Sequence, residues 1–158
     1  MSRREAPPRP AACRPATTPQ LEPETAPVSK WSDLFGREGS ADVIFLNFGS
    51  LLHEARKVSE NLNLTLIDMR FVKPIDEELL KELSKNHKLF VTIEENVIAG
   101  GAGSSVNEFV SANSLDISVL NFGISDEFPV VGSPEDQKEA AKLTTEELLK
   151  QIKTRLEK

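Results

Sequence analysis

One stretch constrains this chain more than any other: Val91-Thr92-Ile93-Glu94-Glu95-Asn96-Val97-Ile98-Ala99-Gly100-Gly101-Ala102-Gly103-Ser104-Ser105-Val106-Asn107-Glu108-Phe109. An apolar strand meets two carboxylates and crosses a glycine-rich turn. It then enters a helix whose Val106, Phe109 and Val110 fall at i, i+3 and i+4. Glycines at 100, 101 and 103 let the backbone turn sharply and come close to whatever packs there.

The same strand–helix rhythm runs from Ala41 to the C-terminus. Asp42 to Phe48 is a short apolar run ending at Gly49, read as a buried strand. Ser50 is expected to cap the following helix, with Leu51, Leu52, Ala55, Val58 and Leu62 on one stripe. Leu64 to Met69 is the second strand, and Pro74 and Asp76 open a helix turning Ile75, Leu79, Leu80 and Leu83 inward. Leu89 to Ile93 is the third strand and Ile117 to Phe122 the fourth, while Phe128 to Val131 could add a short edge strand. Ser133 with Pro134 starts a short helix. Thr144 and Glu147 have capping-box spacing and open a last helix with Leu148, Leu149, Ile152 and Leu156 on one face. Such alternation forces parallel neighbours, and predicts an α/β three-layer sandwich with a mostly parallel sheet of about five strands. The order of those strands is not encoded in this pattern.

The first 38 residues read differently. Seven of the ten prolines lie between Pro7 and Pro27, no aromatic residue precedes Trp31, and no helical or strand period is present. Such a stretch buries too little apolar area to offset an ordering cost of roughly 1–2 kcal/mol per residue, so residues 1–38 are expected to be a disordered leader. Residues 39–158 form the domain. Arg3, Arg4, Arg9 and Arg14 invite a transit-segment reading, against which stand Glu5, Glu22 and Glu24. The change of vocabulary fits a genuine leader or a fused or wrongly started frame equally well.

A net charge of −6 argues against nucleic-acid binding, and the apolar runs are too short to span a bilayer. One cysteine, Cys13, and two histidines make neither an internal disulfide nor a zinc-type ligand set. A cytoplasmic location is expected, or an organellar one if the leader is a transit segment.

Several residues could carry chemistry. The turn Gly100-Gly101-Ala102-Gly103-Ser104 at a helix start could hold an anion, but it lacks the lysine of a phosphate loop. A tight strand-to-helix turn is the preferred reading. Glu94 and Glu95 sit near a strand's C-terminal end, the ligand-facing edge of open α/β sheets. Adjacent strand residues point to opposite faces, so a catalytic dyad is not expected; a loop cap or a domain contact is. Arg70 lies just past a strand end, where it could clamp a carboxylate or phosphate, or fix its own loop through an ion pair with Asp68 or another acid. His53 and His87 have no serine or cysteine partner and read as surface or packing residues. No residue is assigned as catalytic, cofactor-binding or metal-ligating.

The glycine run with both acids and Asn107-Glu108 resembles the C-terminal domain of 1-deoxy-D-xylulose-5-phosphate synthases. So do Asp42-Val43 with Phe48-Gly49-Ser50, the Asp68-x-Arg70…Lys73-Pro74-x-Asp76 stretch, Val119 to Ile124, and Gly132 to Gln137. Transketolases and 2-oxo acid dehydrogenase β subunits are similar more weakly. The resemblance implies a thiamin-diphosphate transferase that condenses pyruvate with D-glyceraldehyde 3-phosphate in isoprenoid and thiamin precursor synthesis. In that family an N-terminal domain holds the diphosphate and magnesium through a Gly-Asp-Gly…Asn signature. A middle domain supplies the aminopyrimidine glutamate and the phosphate-binding arginines. No Gly-Asp-Gly occurs in this chain. The chain alone is therefore expected to bind no cofactor and to be inactive, packing against the remaining domains of a synthase or a homologous subunit and self-associating. A stand-alone binding or regulatory module is the alternative.

Overall fold

The computed structural model describes residues 42–128 and 131–157, so the leader, Cys13 and the expected boundary at residue 38 lie outside the described residues. Within them the chain runs β1 (Val43–Phe48), α1 (Leu52–Leu62), β2 (Thr65–Asp68), α2 (Glu77–Leu83), β3 (Leu89–Val97) and α3 (Ala102–Ala112). It continues through β4 (Ser118–Ile124), α4 (Pro134–Ala140) and α5 (Thr145–Leu156). The sheet order is β2-β1-β3-β4, with every pair parallel.

The placement of the helices follows from this order and the handedness of the crossovers. The chain steps from β1 to β2 in one direction, then returns past β1 to β3 and on to β4. Right-handed crossovers place helices on opposite faces when the direction reverses. Accordingly, Ala55 and Val58 of α1 join Leu148 and Ile152 of α5 over Val43, Phe45, Val91 and Ile93. On the other face, Leu80 of α2 and Val106, Phe109 and Val110 of α3 cover Ile44, Leu46 and Phe90. The strands are buried on both sides, which is why they read as continuous apolar runs rather than alternating ones.

Among the described residues the sheet has four strands rather than about five. Phe128 and Val131, the ends of the run expected to add an edge strand, are fully exposed, and residues 129 and 130 lie outside the described residues. β3 extends four residues beyond its expected end at Ile93, because pairing with β4 resumes at Val97↔Ile124 after a register shift. The helix starts at Asp76 and Ser133 are capped as their sequence suggests. Asp76 accepts from the Leu79 N–H at 3.0 Å, and Ser133 and Asp136 form a reciprocal capping box. At Thr144 the forward bond from the Glu147 N–H is present at 3.4 Å, while the Glu147 carboxylate lies 3.6 Å from Lys150.

Ser50 is a correction. It does not cap α1: Leu51 holds the N-cap position without a side-chain bond, and the Ser50 hydroxyl instead donates to Glu95. The cause is the parallel pairing of β1 and β3. It sets Phe48 opposite Glu94 as the last pair between the two strands, so Ser50, just past β1, meets Glu95, the next residue of β3, at the same edge.

Candidate functional site

The reversal of chain direction falls between β1 and β3. In open parallel sheets the crevice beyond the strand C-termini at such a point is where ligands collect. A cleft of about 450 Å³ lies there. Phe48, Gly49 and Ser50 line it from β1, Glu94 to Asn96 and Gly100 to Ala102 from β3 and its turn, and Arg70 and Val72 from beyond β2.

The turn itself is filled from within. Glu94 is 3% exposed, and its two carboxylate oxygens accept from the backbone N–H groups of Ala102 at 2.7 Å and Gly103 at 2.9 Å. These are donors of the first turn of α3, which have no partner inside the helix and sit at its positive end. A side-chain carboxylate therefore occupies the position that a phosphate would need. The glycines make this approach sterically feasible. A Cβ on Gly101 would collide with the Glu94 carboxylate and lie 2.5 Å from the Val97 carbonyl oxygen. One on Gly103 would lie 2.7 Å from Thr92 Oγ1 and 3.0 Å from Asn121 Oδ1, a pair joined by a 2.9 Å hydrogen bond. Ser104 completes the turn: its hydroxyl donates to the Ile98 carbonyl at 2.6 Å and accepts from the Gly100 N–H at 3.0 Å.

Glu95 points the other way, as strand alternation requires, and is exposed. Its bond from Ser50 sets a second carboxylate beside the start of α1. Both helix starts that flank the switch point thus have one of the chain's own acids next to them. Arg70 is exposed and takes φ +44°, a left-handed conformation that costs a non-glycine residue about 1–3 kcal/mol. It borders this cleft and also a second, apolar groove. Asp68, one candidate partner for Arg70, accepts a 2.9 Å hydrogen bond from Asn47, which also donates to the Gly49 carbonyl. That link ties the ends of β1 and β2 together.

Sequence reasoning missed the contact of Lys138 on α4 with Glu54 on α1, at 2.7 Å. Burial alone would raise the Glu54 carboxyl. The Lys138 hydrogen bond, a backbone hydrogen bond, and the charges of Lys138 and His53 outweigh it and hold Glu54 below its ordinary value. Lys138 is pushed upward, chiefly by that same hydrogen bond. Eighty-four positions separate the two, so no local pattern signals the pair. His53 is exposed, and His87 Nδ1 sits 2.8 Å from the Leu83 carbonyl oxygen.

A diphosphate cofactor does not fit this turn, because Glu94 already holds the donors and presents negative charge. Among the described residues no three His, Cys, Asp or Glu side chains converge in a way that could hold a metal ion. Nor is any described helix long and apolar enough to cross a membrane.

Residues 34–148 match the family described as transketolase, C-terminal domain. This chain belongs to the transketolase C-terminal domain family. Within it, the chain is 58% identical over 100 residues to the 1-deoxy-D-xylulose-5-phosphate synthase of Pectobacterium atrosepticum, covering 63% of this chain and 16% of that protein. It is 46% identical over 126 residues to the synthase of Buchnera aphidicola, covering 80% of this chain and 20% of that one. The transketolase-type domain thus spans a fifth or less of the length of these relatives. A solved structure titled as a split gene transketolase, inactive beta4 tetramer, superposes with a TM-score of 0.66 at 30% identity, over 75% of this chain and 40% of that one.

Proposed function

We propose that this chain is the C-terminal domain of a 1-deoxy-D-xylulose-5-phosphate synthase and acts as a docking and support domain for an active site built by other domains. The transferase reaction, with its thiamin diphosphate and magnesium, belongs to the assembled protein. This chain contributes the wall formed by the C-terminal edge of its sheet, and its partners are the remaining synthase domains and a second copy of itself.

The observation that carries this reading is the Glu94 carboxylate on the α3 N-terminus. The site where an α/β domain would ordinarily take a phosphate is consumed in holding the turn, which favours a rigid structural edge over a binding loop. Arg70 and Glu95 line the cleft, on the side where a neighbouring domain would pack. The matched segment makes up only 16% and 20% of these relatives, so the remainder of such a protein would hold the other domains.

A chimera tests it. Residues 39–158 replace the corresponding C-terminal segment of the Pectobacterium atrosepticum synthase, and formation of 1-deoxy-D-xylulose 5-phosphate is measured. Activity within about tenfold of the parent is expected. A folded chimera with no activity would count against the assignment.

A further inference from the structure

Between the end of β4 at Ile124 and the buried Leu143, the chain leaves the body of the domain. Of the described residues 125–128 and 131–140, every one is exposed except Lys138. Val131 is 97% exposed, and α4, the helix in this stretch, buries no residue. Its capping box and the bond from Gln137 to the Gly132 carbonyl stay within the segment. Among the described residues, the side-chain hydrogen bond that reaches the rest of the domain is the one Lys138 Nζ donates to Glu54 Oε1, at 2.7 Å.

This tie joins the last turn of α4 to the first turn of α1, so each charge also meets the favourable end of its own helix dipole. It sits at the rim of the switch-point cleft. Ser50, just ahead of α1, and Glu95 line that cleft, and the Glu95 charge acts on Lys138 as well. The pair is partly open to water, at 31% exposure for the Lys138 side chain and 15% for that of Glu54. Ion pairs in such settings hold weakly. Nor can α4 stand by itself, since its 7 residues fall short of the roughly 12–15 that a helix needs in water. Segments tied to a fold by so few contacts open locally, without global unfolding.

We infer that residues 131–140 are a strap that opens as a unit, with the Lys138–Glu54 pair as its latch. Opening melts α4 and uncovers Glu54 in the first turn of α1, beside the cleft. The two core layers stay closed, because no residue of the strap belongs to either. Leu143, in the core layer with α1 and α5, anchors the strap's far end. The strap belongs to the domain itself and does not depend on the docking reading.

Hydrogen–deuterium exchange of the full 158-residue chain, resolved by mass spectrometry into α4 and the core elements, is the test. Amides of α4 should exchange at least about a hundredfold faster than those of β3 and α3, and with little dependence on dilute urea, as local opening does. Lys138→Met should speed α4 exchange severalfold, while β3 and α3 remain far slower. Lys138→Arg, which keeps the charge and a donor, should restore the parent rate. Added salt should speed α4 exchange in the parent and not in Lys138→Met. Amides of α4 as protected as those of β3 would overturn the inference, since the segment would then open only with the whole domain. So would an α4 rate indifferent to Lys138→Met, because the pair would not be the latch. Neither result touches the docking reading, which the chimera tests separately.

Discussion

Replacing Glu94 by alanine isolates the interaction that fixes the candidate site. The wild-type carboxylate accepts two short backbone bonds, at 2.7 and 2.9 Å, inside a region from which it is almost wholly shielded. Its removal strands two donors at a helix N-terminus, and each orphaned buried donor costs about 1–3 kcal/mol. Gly101 and Ala102 border the open cleft, which lets water recover part of that loss. The expected destabilisation is about 3 kcal/mol, above the roughly 0.5–2 kcal/mol typical of losing an ordinary N-cap. Glu94→Gln should lose about half as much, because its carbonyl serves one N–H while its amide faces the other. Urea titrations followed by circular dichroism measure both, with comparison at constant m-value. The melting temperature of Glu94→Ala should fall by roughly 12 °C, at about 4 °C per kcal/mol for a domain of this size. A Glu94→Ala protein within about 0.5 kcal/mol of the parent would refute the reasoning. It would mean that the two N–H groups find other partners and that the turn is not organised by this carboxylate.

Further perturbations probe the same edge. Gly103→Val should cost on the order of 1–3 kcal/mol in urea unfolding, because its Cβ would press on Thr92 and Asn121; an unchanged midpoint with lost phosphate binding would reverse the assignment of the turn. Gly101→Ala should destabilise at least as strongly, since its methyl would displace the Glu94 carboxylate, and a melting temperature equal to the parent's would argue against this packing. Lys138→Met should cost about 0.5–1 kcal/mol, as expected for a partly exposed pair, and should flatten the acid limb of the stability profile. Glu54 has a folded-state value below its ordinary 4.5, so its contribution is present above that pH and is lost as pH falls through the lowered value. Lys138 is raised above 10.5, so its contribution is present below that pH and is lost as pH rises through the raised value. An acid limb identical in parent and Lys138→Met would show that the pair does not contribute.

What the sequence conveyed was local. Helical stripes placed Ala55, Val58, Val106, Phe109 and Ile152 in the two core layers because a 3.6-residue period reports which side faces the sheet. The two-residue period of a strand sent Glu94 inward and Glu95 outward, although β3 runs on to Val97 through a register shift that no period predicts. Pairings set by topology were not legible. Ser50 lies forty-five positions from Glu95, and a serine just before a helix reads equally well as a cap. The strand order, which makes β1 and β3 neighbours and so creates the cleft, depends on crossover packing rather than on any one segment. Arg70 was visible as a charge past a strand end. Its position between a polar cleft and an apolar groove required the fold.

The Glu94 carboxylate holds the glycine turn through the donors that a diphosphate would need. Calorimetric titration of the full chain with thiamin diphosphate and magnesium, in parallel with pyruvate consumption, tests it directly. No saturable heat at micromolar concentrations and no loss of pyruvate are expected, because Glu94 occupies the α3 donors that a phosphate would need. Saturable micromolar binding, or turnover by this chain without a partner, would contradict it.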